Sequence, residues 1–97
     1  MINHGLSPQD LTIIHDILDS YKEVYIFGSR VKGTYKQFSD LDVCIKQPLL
    51  DYEVELLAEK FTESDLPFKV DLILYDEVDD NFKKRIDQEA VSLAQLQ

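Results

Sequence analysis

Three short apolar stretches, separated by segments with helical periodicity, constrain the fold of this chain more than any other feature of its sequence. The stretches are Val24–Phe27, Leu41–Ile45 and residues 68–75, the last interrupted by Lys69 and Asp71. β-Branched and aromatic residues are frequent in them, as is typical of buried strands. Because these strands alternate with amphipathic helical segments, the chain is predicted to fold as an α/β sandwich of three to four strands with helices packed against the sheet.

The helical segments carry recognisable start signals. Ser7 is a good N-cap, Pro8 suits the first helical position, and Asp10 completes a pattern similar to a capping box. The other predicted elements are a helix over residues 52–61, a helix beginning near Asp79, a short helix or turn over residues 29–35, and a helix or strand over residues 91–96.

Length and composition predict a single domain. The 97 residues leave room for one compact unit, residues 1–97, and a content of 44% hydrophobic and 30% charged residues is ordinary for globular proteins. No apolar run approaches the roughly 20 residues of a membrane span, and the N-terminus lacks the basic and apolar regions of a signal peptide. Since the single cysteine, Cys44, cannot form an intrachain disulfide, we expect a cytoplasmic protein without membrane association.

The chain is strongly acidic. Ten basic against 19 acidic side chains give a net charge of −9. A surface of this sign repels a phosphate backbone, so direct DNA or RNA binding is not expected. Residues 24–39 contain no acid, and this stretch could receive a small anion, although an ordinary fluctuation of surface charge explains it equally well.

The strand Val24–Phe27 runs directly into Gly28 and Ser29. A glycine allows a ligand to approach the backbone closely because it lacks a Cβ atom. Ser29 can cap a short helix whose free N–H groups would face an anion, and Arg30 adds positive charge. These residues are candidates for binding a triphosphate, although most Gly-Ser pairs that follow a strand are simple turns.

Three aspartates lie in or beside otherwise apolar strands. Asp40 and Asp42 lie on one face of the second strand, where residues two apart have Cβ atoms about 7 Å apart, and Asp71 lies in the third. If these strands are neighbours, the three carboxylates converge. Two such charges about 5 Å apart repel by roughly 3 kcal/mol, a cost carried most readily where a divalent cation cancels it. Ligation by oxygen alone indicates Mg²⁺ or Mn²⁺.

Each aspartate also has a purely structural explanation. Asp40 could cap a turn, Asp42 could be solvated on an open face, and Asp71 could pair with Lys69 or Lys46. The combination favours a site, because a Gly-Ser-x10-Asp-x-Asp pattern is expected by chance on the order of a per cent or less in a chain of this size.

These motifs together resemble the signature of the DNA polymerase beta-like nucleotidyltransferase superfamily. The matching residues are Gly28-Ser29, Asp40-Leu41-Asp42 and Asp71 in its apolar strand. The small size and the run from Phe27 to Asp42 are similar to the minimal nucleotidyltransferases, or MNT proteins. The resemblance covers nearly the whole chain and implies their fold, a small mixed sheet of three to four strands flanked by about four helices.

The resemblance implies a reaction, the transfer of a nucleoside monophosphate to an acceptor hydroxyl with release of pyrophosphate. AMP from ATP is the expected donor group. Asp40, Asp42 and Asp71 would be the catalytic residues and would hold two Mg²⁺ ions, with Mn²⁺ as an alternative. Asp71 would ligate the metal nearer the acceptor and help to deprotonate its hydroxyl.

The resemblance also assigns the nucleotide-binding residues. Gly28, Ser29 and the backbone amides that follow would bind the β- and γ-phosphates of ATP or another nucleoside triphosphate. Arg30 would steady the triphosphate or, as an equal alternative, form a salt bridge on the face of its helix.

A partner protein is implied as well. MNT proteins are typically encoded beside HEPN-domain proteins, as the antitoxins of toxin–antitoxin pairs, and they adenylylate a tyrosine of the HEPN ribonuclease. The resemblance therefore implies a HEPN-domain partner encoded nearby and a hetero-oligomer formed with it. An acidic antitoxin suits a basic ribonuclease through charge complementarity.

Of two alternative functions, one stays open at this point and one is disfavoured. The protein could neutralise a HEPN partner by binding alone, without catalysis. A small-molecule transferase of the aminoglycoside type is disfavoured, because 97 residues leave no room for an acceptor-binding domain.

Overall fold

The structure is a computed structural model that describes residues 4–96. It is built from four helices and four strands around a single sheet. The helices are α1 (Pro8–Ile17), α2 (Ser29–Lys32), α3 (Asp51–Glu63) and α4 (Asp80–Glu89), and the strands are β1 (Val24–Phe27), β2 (Leu41–Ile45), β3 (Val70–Leu74) and β4 (Val91–Ser92). The predicted fold class, a small mixed sheet flanked by helices, is confirmed.

The sheet has the strand order β3-β2-β1-β4. β1 is antiparallel to both β2 and β4, whereas β2 and β3 are parallel. α3 lies between the two parallel strands in the chain, as a parallel pair requires a crossover connection. The register places Phe27 opposite Asp42, and Asp42 opposite Asp71. The topology therefore brings together two aspartates that are far apart in the sequence.

The two faces of the sheet pack against different helices. On one face, β2 contributes Leu41, Val43 and Ile45 to the main core, which α1 and α3 cover. On the other face, a smaller cluster forms around Phe27, Cys44 and the α4 residue Ile86. The alternation predicted for β2 is thus confirmed, since its aspartate and cysteine share the face opposite the main core.

The predicted helix starts are confirmed at α1 and α4. The Ser7 hydroxyl accepts a hydrogen bond from the Asp10 N–H at 3.0 Å, and the Asp10 carboxylate accepts one from the Ser7 N–H at 3.1 Å. This is a complete capping box. At α4, the Asp79 carboxylate accepts a hydrogen bond from the Phe82 N–H at 2.8 Å.

Other elements differ from the predictions at their ends. The third strand spans only Val70–Leu74, because a 3₁₀ turn follows at Tyr75–Glu77. The ambiguous C-terminal segment divides into the two-residue strand β4 and a 3₁₀ turn at Leu93–Gln95. None of the helices within residues 4–96 combines the length and the apolar character that crossing a membrane requires.

The smaller cluster should depend on Ile86, whose side chain is fully buried between α4 and the sheet. We predict that Ile86→Ala lowers the free energy of unfolding by about 2–5 kcal/mol, because it leaves a cavity beneath α4. Urea denaturation of the metal-free protein measures this change. Gln88→Ala, on the exposed side of the same helix, is the matched control and should change stability by less than about 0.5 kcal/mol. An equal loss in both variants would contradict the packing described.

Candidate active site

The turn at Gly28 connects β1 to the short helix α2. Gly28 has a φ of +86°, in the left-handed region that side chains disfavour. A Cβ atom built on this residue would overlap the Oδ2 atom of Asp42. Glycine is therefore required here for two reasons, since the backbone turns sharply and the Asp42 carboxylate lies directly against it.

Ser29 is the first residue of α2, and the predicted capping role is wrong. Gly28 occupies the N-cap position, and no side-chain capping bond is present at this helix start. The carbonyl oxygen of Gly28 accepts hydrogen bonds from the N–H groups of Val31 and Lys32, at 3.1 and 3.2 Å. The N–H groups of Ser29 and Arg30 belong to the first turn, which intrahelical bonds leave unused. The half-buried Ser29 side chain adds a hydroxyl to this turn.

Three carboxylates lie on the same side of the sheet near this turn. Asp42 is half-buried in β2, Asp71 is exposed in the neighbouring β3, and Asp40 is exposed two residues before Asp42. Burial raises the pKa of Asp42, and the negative charges of Asp71 and Asp40 raise that pKa further. Asp40 and Asp71 therefore lie close enough to Asp42 to act on it electrostatically. Within residues 4–96, however, they do not form a ready-made cluster of metal ligands.

Within residues 4–96, Asp40 caps no turn and Asp71 forms no ion pair with Lys69 or Lys46. Lys46 pairs with Asp87 of α4 at 2.9 Å and not with Asp71. In the loop before Asp40, the Ser39 hydroxyl accepts a hydrogen bond from the Lys36 N–H, at 2.6 Å. Ser39, not Asp40, thus closes this turn. Asp40 and Asp71 are both exposed, and both act electrostatically on Asp42.

Arg30 lies apart from the exposed surface of the site. Its side chain is buried, and its guanidinium donates hydrogen bonds to the carbonyl oxygens of His4 and Ser39, at 3.0 and 2.9 Å. Arg30 therefore neither lies on an open phosphate-binding surface nor forms the predicted salt bridge on the face of its helix. Sequence patterns miss such contacts, because backbone carbonyls are present at every residue and their positions depend on tertiary structure.

Cys44 shares the face of β2 that carries Asp42, and its side chain is completely buried. Burial raises the pKa of its thiol to about 11. The thiol is therefore protonated at neutral pH and is not a nucleophile, because only the thiolate reacts readily.

A groove of about 460 Å³ opens beside Asp71. The end of α3, the loop that follows it and the start of β3 form its walls, which include Phe61, Leu66 and Phe68. β3 is an edge strand, so this groove is open to solvent along the side of the sheet. The site therefore has a surface next to Asp71 on which a second molecule can lie.

Comparisons of the sequence with known proteins find two matches. The profile of the nucleotidyltransferase domain family matches residues 11–93. A protein from Haemophilus influenzae named as a probable protein adenylyltransferase, MntA, is 42% identical over 77 residues, which cover 77% of this chain and 67% of that protein.

Two solved structures show the same fold. One is a toxin–antitoxin with AMP-PNP, which matches with a TM-score of 0.70 at 23% identity, over 87% of this chain and 72% of that one. The other is a mutant of the toxin–antitoxin MntA-HpeT, with a TM-score of 0.61 at 20% identity, over 86% of this chain and 70% of that one. At these identities the two structures support the fold and not the details of the site.

The raised pKa of Asp42 generates a test of stability against pH. We predict that Asp42→Asn stabilises the metal-free protein at pH 7 by up to about 3 kcal/mol, and by less where solvent screens the charges. The gain should vanish below about pH 3.9, where the carboxyl is neutral in the folded and unfolded chain alike. It should build up as the pH rises from there through the raised pKa of the folded state, because over this range the folded parent retains a proton that the unfolded chain has released.

Thermal melts of parent and variant between pH 3 and pH 8 measure this difference. Asp65→Asn, in an exposed turn, is the matched control and should show no such trend. A destabilised Asp42→Asn variant at pH 7 would mean that Asp42 has a stabilising structural role.

Proposed function

This chain belongs to the nucleotidyltransferase domain family, and we propose that it transfers AMP from ATP to a hydroxyl group of a partner protein. The observation that carries the proposal is the contact between the Gly28 turn and Asp42, with Asp40 and Asp71 beside it. The arrangement supports the proposal because transfer of a nucleotidyl group requires both a turn that could bind phosphate and carboxylates that could bind metal ions.

The triphosphate would bind at the start of α2. Gly28 leaves the backbone accessible, and the first-turn N–H groups and the Ser29 hydroxyl supply hydrogen-bond donors. The guanidinium of Arg30 is buried and already bound to two carbonyl oxygens, so Arg30 would not contact the triphosphate directly.

The donor set fits a hard divalent cation. Asp40, Asp42 and Asp71 supply only carboxylate oxygens, and the pKa of Asp42 is raised by burial and by the negative charges of the other two, which a cation would neutralise. We propose that these residues hold two Mg²⁺ ions, for which Mn²⁺ could substitute. When bound, such ions stabilise the negative charge that develops on the attacking and leaving oxygens.

Asp71 would also act on the acceptor. Asp71 is exposed on the edge strand β3 and is one of the residues that line the open groove described above. An acceptor hydroxyl bound in this groove would lie beside Asp71, whose carboxylate would help to remove the proton of that hydroxyl. Bound cations would favour the ionised form of Asp42, because they would offset the burial and the neighbouring negative charges that raise its pKa.

The acceptor we propose is a tyrosine of a HEPN-domain toxin encoded beside this chain, which would act as the antitoxin. Two observations support this. A relative 42% identical is named as a probable protein adenylyltransferase, and structures with the same fold are toxin–antitoxin complexes. The net charge of −9 would favour association with a basic partner.

The central experiment is to incubate the protein with its genomic neighbour, ATP and Mg²⁺, and then to weigh the neighbour by mass spectrometry. We expect a gain of one AMP per transfer, located on a tyrosine. Asp42→Asn should abolish the gain, because a neutral amide cannot replace an anionic ligand between two cations. An unchanged mass together with full neutralisation of toxicity would show that the protein is an antitoxin that acts by binding alone.

Phosphate binding at α2 gives a separate prediction. Ser29→Ala should weaken Mg²⁺–ATP binding about tenfold, since it removes one hydrogen bond to a charged group, and should leave folding intact because Ser29 makes no capping bond. Isothermal titration measures the affinity. Ser20→Ala, at an exposed position outside the site, serves as the control. Equal affinities for parent and Ser29→Ala would remove Ser29 from the phosphate-binding site.

A further inference from the structure

Arg30 is the only charged side chain that is buried among residues 4–96, with 2% of its surface exposed. Building on the proposed function, we propose that Arg30 is a positioning residue, which holds the three segments that carry the site in their relative places. It would do so through its guanidinium and without contacting the nucleotide.

The contacts of Arg30 reach each of these segments. Arg30 itself follows the Gly28-Ser29 turn on α2. One end of its guanidinium donates a hydrogen bond to the carbonyl oxygen of Ser39, the residue before Asp40, at 2.9 Å. Its planar face lies over the ring of Phe68, 4.4 Å from the ring centroid. Phe68 precedes Asp71 by three residues.

Two further contacts enclose the guanidinium. Its other end donates a hydrogen bond to the carbonyl oxygen of His4 at 3.0 Å, and the ring of Tyr35 lies 5.3 Å from its central carbon. An arginine suits this position because its rigid fork directs hydrogen bonds in two directions while its plane stacks on aromatic rings. A lysine keeps the charge but cannot reproduce both the fork and the stacking.

The energetics also favour a positioning role over simple stabilisation. The guanidinium is buried without an ion pair within the described residues, and its Nε atom has no hydrogen-bond partner there. Burying a charge and an unsatisfied donor costs free energy that an apolar side chain of similar volume would avoid. Direct contact with phosphate is disfavoured too, since both terminal nitrogens already bind carbonyl oxygens.

The first measurement is the affinity for Mn²⁺ in the absence of nucleotide, followed by electron paramagnetic resonance. If Arg30 positions Asp40 and Asp71, Arg30→Lys and Arg30→Ala should lower Mn²⁺ affinity about 10- to 100-fold while remaining folded. Arg85→Lys is the matched control, because Arg85 also lies over aromatic rings but is exposed and is far from Ser39 in the sequence. It should bind Mn²⁺ as the parent does.

Chemical rescue provides a second measurement. Guanidinium ions at millimolar concentration should enter the space left in Arg30→Ala and restore most of the lost Mn²⁺ affinity. Urea, which has a similar shape but no charge, should not. Rescue by guanidinium alone would support the proposal, because it shows that the charged fork at this position controls the metal-binding carboxylates.

Three results would overturn the proposal. Unchanged Mn²⁺ affinity with weakened Mg²⁺–ATP binding would mean that Arg30 contacts phosphate. Unchanged affinity for both would mean that Arg30 only fills space. Unfolding of Arg30→Lys as well as Arg30→Ala at the temperature of measurement would mean that Arg30 stabilises the fold as a whole.

The backbone amide resonances of the metal-free protein separate this proposal from the proposed function. The backbone amide resonances of Asp40 and Asp71 should shift in Arg30→Lys and stay in place in Arg85→Lys. If the parent binds no Mn²⁺, the proposed metal-dependent function is refuted. The resonances of Asp40 and Asp71 then still test whether Arg30 positions these residues. If the parent binds Mn²⁺ but transfers no AMP, only the transfer activity fails. Unshifted resonances of both aspartates in Arg30→Lys would refute the positioning role.

Discussion

The position of β2 between β1 and β3 is the constraint on which the site depends. β2 pairs with β1 so that Phe27 lies opposite Asp42, and with β3 so that Asp42 lies opposite Asp71. A shift of either register by one residue would turn the side chains of that strand to the other face. The main core prevents this, because Leu41, Val43 and Ile45 must remain beneath α1 and α3. Hydrophobic packing on one face therefore holds the acids in place on the other.

The site itself works against the stability of the metal-free fold. Asp42 is half-buried beside two other carboxylates, and its raised pKa reflects that unfavourable environment. The buried guanidinium of Arg30, whose Nε has no hydrogen-bond partner within residues 4–96, contacts the same part of the chain. Both features are costly in a folded protein, and such costs are typically found at functional sites. Binding of cations and nucleotide would relieve the repulsion among the carboxylates, which links ligand binding to stability.

Much of the fold could be predicted from local patterns. The capping box at Ser7, the N-cap at Asp79 and the two-faced strand Leu41–Ile45 all depend on residues close together in the chain, and the structure confirms them. The capping role of Ser29 was wrong, because Gly28 itself occupies the N-cap position in a left-handed conformation. The length of the third strand was also overestimated, since its apolar residues continue into a 3₁₀ turn at Tyr75.

The sequence by itself determined the elements, the apolar and acidic faces of β2, and the candidate residues of the site. These follow from side-chain periodicity and from the conformational freedom of glycine, which act over a few residues. Only the tertiary structure decided that Asp71 lies beside Asp42, that the Asp42 carboxylate touches the Gly28 turn, and that Arg30 is buried against the Ser39 carbonyl. These contacts depend on strand order and on the positions of backbone carbonyls, which arise from packing of the whole chain and leave no local pattern.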